Sequence, residues 1–259
     1  VGSEMCIRDR ICSYPKSGRT WLRYMLANVL VAHSGLDIKL DLTTMFSVIP
    51  NDDLEDGRGW PGYLFNDVYP CVAASHEKYR KKLHHNHNIV LLIRDPRAVI
   101  VSYWFHQTKH LRRFQGDIRG FLRDSRYGIA GMLAYLETWA SVVDRERMIV
   151  VTYEEMHADT FSALKRICDF LEIRVGEDEI RAAVAAGEFN RMREMELENG
   201  VGGHIYDRGD VAALRVRNGR VQGFAEHLDE ADESVIEACL AAASPQLRKI
   251  LDRNGYLRK

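Results

Sequence analysis

Ser13-Tyr14-Pro15-Lys16-Ser17-Gly18-Arg19-Thr20-Trp21 is the stretch on which the fold turns, and it runs into an apolar segment from Trp21 to His33. Pro15 and Gly18 punctuate a tight loop between the end of a short strand and the start of a helix. Such a loop aims backbone N–H groups at one point, and the N-terminus of the following helix adds partial positive charge. The expected guest is an anion. Lys16 can set a full charge against it, and Ser17 and Thr20 can donate hydroxyl hydrogen bonds. A loop of the G-x-x-x-x-G-K-[ST] type is excluded, because Lys16 precedes Ser17-Gly18 and no earlier glycine stands at the required spacing. The competing reading is a plain strand-to-helix turn carrying a surface lysine.

Outward from this loop, strand and helix signals alternate. Cys71-Val72-Ala73-Ala74-Ser75 reads as a short buried strand ending at His76-Glu77, and Asn88 to Ile93 is a β-branched run without polar alternation. That run is the signature of a parallel strand covered on both faces. Arg94-Asp95-Pro96 ends it, with Pro96 at the first position of a following helix. Met148 to Thr152 is a further strand. Helices are expected over Ile129–Val143, Thr160–Leu171, Glu177–Ala186, Asp229–Ala242 and Pro245–Arg253. Asp37 to Pro70, with three prolines and three glycines, reads as long loops and part of an acceptor-side wall. Lys109 to Gly128 reads as a basic surface lid with short helical turns, and Glu188 to Arg217 as a mobile loop. The fold class is therefore α/β, a central parallel sheet with helices on both faces.

Composition narrows the function classes. The chain has 259 residues, 46% hydrophobic and 28% charged, with 36 basic and 37 acidic residues giving a net charge of −1. A large core is expected, and disorder, wholesale nucleic-acid binding and membrane-surface binding are disfavoured. The five cysteines are scattered and form no C-x-x-C pair, which reads as reduced thiols in a cytoplasmic setting. Ile7-Arg8-Asp9-Arg10 is too charged for a strand feeding the loop, so residues 1–10 are read as truncated or foreign and 11–259 as one domain. His84, His85 and His87 read as a solvated cluster rather than a metal site.

The quoted loop resembles the 5′-phosphosulfate loop, Tyr-Pro-Lys-Ser-Gly-x-Thr-Trp, of sulfotransferases that use 3′-phosphoadenosine 5′-phosphosulfate (PAPS). Arg19 replaces a threonine common in that family. Arg94-Asp95-Pro96 with Ser102-Tyr103 resembles its 3′-phosphate motif; an arginine paired to Asp95 is the alternative reading. Arg217-Asn218-Gly219 through Phe224 resembles a third, looser segment, with Asn218, Gln222 and Phe224 departing from the pattern. The resemblance implies a P-loop-like sulfotransferase fold. It implies that PAPS, and its product 3′-phosphoadenosine 5′-phosphate (PAP), are held by Lys16, Ser17, Gly18, Arg19, Thr20, Trp21, Arg94, Ser102, Tyr153, Phe189, Arg217, Asn218 and Gly219. His76 matches the histidine of a Lys-Thr-His pattern and is the implied base, with Lys16 as the catalytic cation; Glu77 is a rival base. Ala74 stands where the lysine of that pattern would be. The implied reaction moves a sulfuryl group to a hydroxyl or amine of a small-molecule or carbohydrate acceptor, with no metal, no nucleic-acid partner and no membrane partner. A P-loop kinase and a non-catalytic PAP-binding module are the alternatives.

Overall fold

Among the described residues, four short strands lie side by side and all run the same way. A computed structural model describes residues 9–52 and 72–257. The strands are β1 (Asp9–Ser13), β2 (Val72–Ser75), β3 (Asn88–Ile93) and β4 (Met148–Thr152), in the spatial order β2-β1-β3-β4. Cys12 of β1 faces Ser75 on one side and Leu91 on the other, and Ile93 faces Thr152. The continuous apolar run of β3 divides by the two-residue period of a strand. Val90 and Leu92 enter one core, while Ile89, Leu91 and Ile93 enter the other.

Helices cover both faces. In chain order they are α1 (Arg19–Ser34), α2 (Met45–Val48), α3 (Lys81–His84), α4 (Pro96–Phe105), α5 (Ile118–Leu122), α6 (Ile129–Ala140), α7 (Tyr153–Ala158), α8 (Thr160–Phe170), α9 (Glu177–Ala186), α10 (Phe189–Asn199), α11 (Glu230–Ala241) and α12 (Pro245–Arg253). Side chains of α1, α8 and α9 pack on one face; those of α4, α6, α11 and α12 pack on the other around fully buried Trp139. Short polar caps set the helix starts: Asp95 accepts from the N–H of Arg97 at 2.8 Å, and Asp159 from that of Ser162 at 3.0 Å. Among the described residues no helix is long and apolar enough to cross a membrane.

Several sequence expectations are corrected. β1 begins at Asp9 rather than at Ile11, because a central strand recruits backbone from both neighbours whatever its side chains; Arg10 is ion-paired to Asp52. The segment expected as a mobile loop from Glu188 contains the helix α10, which buries Met192 and Glu196. The expected surface lid sends Phe121 and Leu122 fully into the core, where Phe121 stacks on Tyr127. His84 is also fully buried, packed on Tyr79 and Trp139, and burial pushes its pKa down to about 4. Of the loops expected between Asp37 and Pro70, α2 is seen; residues 53–70, the proposed acceptor wall among them, and Cys71 lie outside the described residues, as do residues 1–8.

Candidate active site

Because β2 and β3 flank β1, the chain leaves the sheet in opposite directions at β1, and a crevice opens above the carboxyl ends of β1 and β3. Open parallel sheets bind ligands at such a switch point. The loop after β1 fills one side of it. Lys16 and Gly18 both take positive φ, 71° and 102°, which folds the loop back on itself. Gly18 is required here twice over, since a Cβ would come within 2.7 Å of the Tyr153 ring. No side chain caps the N-terminus of α1, so its first-turn N–H groups face the crevice as anion donors by geometry.

The crevice deepens into a cavity of about 540 Å³. Lys16, Gly18, Arg19, Thr20 and Trp21 line it from the first loop and α1. Ser17 does not; its side chain is buried, with the residue 2% exposed. Arg94 and Ser102 line it from the end of β3 and from α4, Tyr153 and Phe189 from the starts of α7 and α10, and Arg217, Asn218 and Gly219 from the segment that closes over it. The three sequence motifs, far apart along the chain, therefore meet around one space. Glu188 is the sole acidic residue among the described residues that line it.

The two anchors touch. Arg94 Nη1 donates to the carbonyl of Lys16 at 3.3 Å, Nη2 donates to the carbonyl of Arg220 at 3.3 Å, and the guanidinium lies 4.0 Å over the Tyr153 ring. Asp95 does not hold Arg94; it pairs with Arg97 at 3.1 Å. Burial, reinforced by the charge of Arg215, pulls the Lys16 pKa down to about 7. Burial also lowers the pKa of Arg217, whose guanidinium lies 3.9 Å over Phe105. Among the described residues the lining carries many more cations than carboxylates, an arrangement that favours an anion in the cavity.

Aromatic rings form the opposite wall. Trp21 and Tyr153 meet edge-on at 5.5 Å, and Trp21 Nε1 donates to the carbonyl of Gly187 at 2.9 Å. The Gly219 carbonyl accepts from the Tyr153 hydroxyl at 3.4 Å and from His157 Nε2 at 3.1 Å. Gly219 has φ of 67°, and a Cβ there would come within 2.5 Å of the Phe189 ring.

His76 follows β2 at the sheet's carboxyl edge and lines the cavity. Its Nδ1 lies 2.6 Å from the carbonyl of Ser13. A carbonyl only accepts, so Nδ1 carries the hydrogen and Nε2 is the basic nitrogen. Glu77 does not line the cavity among the described residues and sits 3.3 Å from Arg80. Ala74 is fully buried within β2 and brings no charge to the site.

Several lining residues carry no motif signal: Arg23, Asn51, His106, Gln107, His204 and Arg215. His106 stands one helical turn beyond Ser102 and opens a π-helical turn, His106–His110, a feature common at functional sites. That spacing could have found it. Burial pushes its pKa strongly down, so the ring is neutral. Arg215 could have been found from the Arg-x-Arg alternation with Arg217. Arg23 and Asn51, joined by a hydrogen bond of 2.5 Å, had no such signal.

A family model described as "Sulfotransferase domain" matches residues 10–244. Among curated relatives, the mouse protein named sulfotransferase 2A6 is 29% identical over 216 residues, covering 77% of this chain and 72% of that protein. The guinea pig 3-alpha-hydroxysteroid sulfotransferase is 26% identical over 253 residues, covering 91% and 84%. Among solved structures, mouse sulfotransferase SULT7A1 complexed with PAP superposes with a TM-score of 0.64 at 20% identity, covering 94% of this chain and 88% of that one. Retinol dehydratase in complex with androsterone and PAP gives 0.66 at 18% identity, covering 91% and 80%.

Proposed function

The chain belongs to the sulfotransferase domain family and is a PAPS-dependent sulfotransferase; we propose that it moves the sulfuryl group to a hydroxyl or amine of a small-molecule or sugar acceptor, with His76 as the base. One observation carries this reading: the Lys16 loop, Arg94 with Ser102, and His76 line a single cavity at the switch point of the sheet. The donor set fits the nucleotide. Arg94 Nε is buried without a hydrogen-bond partner among the described residues, as a group awaiting a ligand acceptor would be. In this reading Arg94, Ser102, Arg217, Asn218 and Gly219 take the 3′-phosphate. Trp21, Tyr153 and Phe189 form the adenine slot, and Lys16, Arg19 and Thr20 with the N–H groups of the loop take the phosphosulfate. Ser17 contributes through its backbone. The described residues, β1 from Asp9 included, act as one domain.

The chemistry is an in-line displacement. The acceptor oxygen or nitrogen bonds to sulfur as the sulfur–oxygen bond to the 5′-phosphate breaks, and that electron pair leaves with PAP. The acceptor proton passes to His76 Nε2, whose partner nitrogen is held by Ser13. Positioning and charge stabilisation by Lys16 lower the barrier, as in phosphoryl transfer. The test is transfer of labelled sulfate from PAPS to a panel of phenols, alcohols, amines and sugars, hydroxysteroids included because the relatives' names point to them. Lys16→Ala is expected to reduce turnover by about 10²-fold or more, and His76→Ala by about 10²-fold or more. Full activity of Lys16→Ala would refute the assignment. Ala74, uncharged where the family pattern has lysine, favours a second reading as a module that binds PAP without transferring sulfate; it predicts tight PAP binding and no labelled product.

A further inference from the structure

Arg215 shares the cavity with Lys16, and no motif accounts for it. Its charge acts on Lys16 more strongly than that of any other charged group. Its guanidinium is held by a chain of side-chain contacts that begins at a backbone carbonyl. The carbonyl of Ala213 accepts from Nδ1 of His110 at 2.9 Å, which leaves His110 Nε2 as an acceptor. That nitrogen lies 3.3 Å from Nδ1 of His204. Arg215 Nη2 in turn lies 2.6 Å from Nε2 and 3.2 Å from Nδ1 of His204. Burial lowers the His110 pKa to about 4, so His110 is neutral at pH 7.

The backbone of Arg215 is held as firmly. Glu196, fully buried in α10, accepts from the N–H groups of Arg215 and Val216, each at 2.7 Å, and from the Tyr206 hydroxyl at 2.6 Å. Glu196 thereby fixes where the backbone of Arg215 sits. The protein thus builds a rigid support for one cation next to another. Two cations held together are favourable once an anion lies between them. The proposed function puts one such anion at Lys16, the transferring phosphosulfate. β2 meanwhile lacks a cation at Ala74, where the family pattern has one.

We propose that Arg215 is the second catalytic cation of this enzyme, holding the non-bridging oxygens of the sulfuryl group beside Lys16 in place of the lysine missing at Ala74, with His110, His204 and Glu196 as positioning residues. This rests on the function proposed above. As sulfur passes from the phosphate oxygen to the acceptor, its equatorial oxygens keep their negative charge throughout, and a guanidinium can face two of them at once.

PAPS and PAP differ in the sulfuryl group alone, so the two affinities, measured by calorimetry without any acceptor, isolate the contact. Arg215→Gln is expected to weaken PAPS binding by about tenfold or more and PAP binding by less than about threefold, the loss of one charge-assisted hydrogen-bonding group. Arg215→Lys keeps the charge without the fork and is expected to fall between the wild type and Arg215→Gln for PAPS. Equal weakening of both nucleotides would mean that Arg215 reads the nucleotide's own phosphates, and no weakening of either would place it on the acceptor side; each result overturns the proposal. Should Arg215→Gln lose its melting transition, Arg215→Lys decides by the same PAPS-to-PAP ratio, an unchanged ratio overturning the proposal. A wild-type protein that binds neither nucleotide sinks the proposed function itself, a result distinct from these.

Discussion

Lys16 is the residue on which the charge balance of the cavity rests. Its pKa stands near 7 against an ordinary lysine value of 10.5, because burial and the surrounding arginines disfavour its charged form. An anion bound against it favours that form, so binding draws a proton from solvent near neutral pH. The second pKa of a 5′-phosphate is about 6, so above pH 7 the ligand's own charge no longer changes. PAP affinity is therefore expected to fall by about tenfold per pH unit between pH 7 and pH 9. Calorimetry in buffers of different ionisation enthalpy is expected to show net proton uptake. Lys16→Met is expected to bind PAP weakly and to lose both effects; a wild-type affinity flat across that range would contradict the assignment. The stability sign runs the other way. The folded protein binds fewer protons than the unfolded chain between pH 7 and pH 10.5, so this lysine makes the empty protein more stable as pH rises through that window. Lys16, His76 and Arg94 were legible in the sequence because each stands just after a strand end, and Ser102 because it follows Arg94 at a fixed spacing within the next helix. Arg215 left only the trace of its alternation with Arg217, because what places it is a buried carboxylate and two histidines from other parts of the chain.

The same contrast holds for whole elements. β3, α9 and α12 stand where hydrophobic pattern and caps put them, since their own residues supply the burial that stabilises them. α10 does not announce itself. Phe189-Asn190-Arg191-Met192-Arg193 is largely polar, and the helix exists because Met192 enters the core and Glu196 satisfies two backbone N–H groups of the segment above it. Tertiary contacts override weak local pattern there. That pairing of α10 with residues 215–219 forms the roof of the cavity, and Gly219 is its closest point. Gly219→Ala must adopt left-handed backbone at a cost of about 1–2 kcal/mol and must displace the Phe189 ring. It is expected to weaken PAP binding by about tenfold or more. Gly35→Ala is the control, because Gly35 also has positive φ, 61°, at the end of α1, yet a Cβ there meets nothing within 4 Å. It is expected to lower the melting temperature while leaving PAP affinity unchanged. Equal effects of the two substitutions on PAP binding would show that the roof does not close on the nucleotide.

At the scale of the molecule, the cavity joins chain segments that otherwise belong to different layers. The strands were legible as strands, but their order was not, because an apolar run does not say which neighbour it pairs with; the order β2-β1-β3-β4 puts the first loop beside Arg94. One face of the sheet contributes α1 and α10 to the cavity, and the other contributes α4. A ligand anchored at both the Lys16 loop and Arg94 ties these layers together, and binding to the folded state alone stabilises it by about 2.7 kcal/mol at a hundred times Kd. PAP at that excess is expected to raise the denaturation midpoint accordingly and to slow amide exchange in residues 14–22 and 215–224, with α11 and α12 unchanged. Adenosine 5′-monophosphate carries the 5′ anchor without the 3′-phosphate. Loss of the charge-assisted contacts from Arg94 and Arg217 is expected to weaken it by about a hundredfold relative to PAP. If the monophosphate bound and stabilised as well as PAP, the 3′ anchor would be idle, and the meeting of Arg94 with the Lys16 loop would be a packing contact rather than two ends of one binding site.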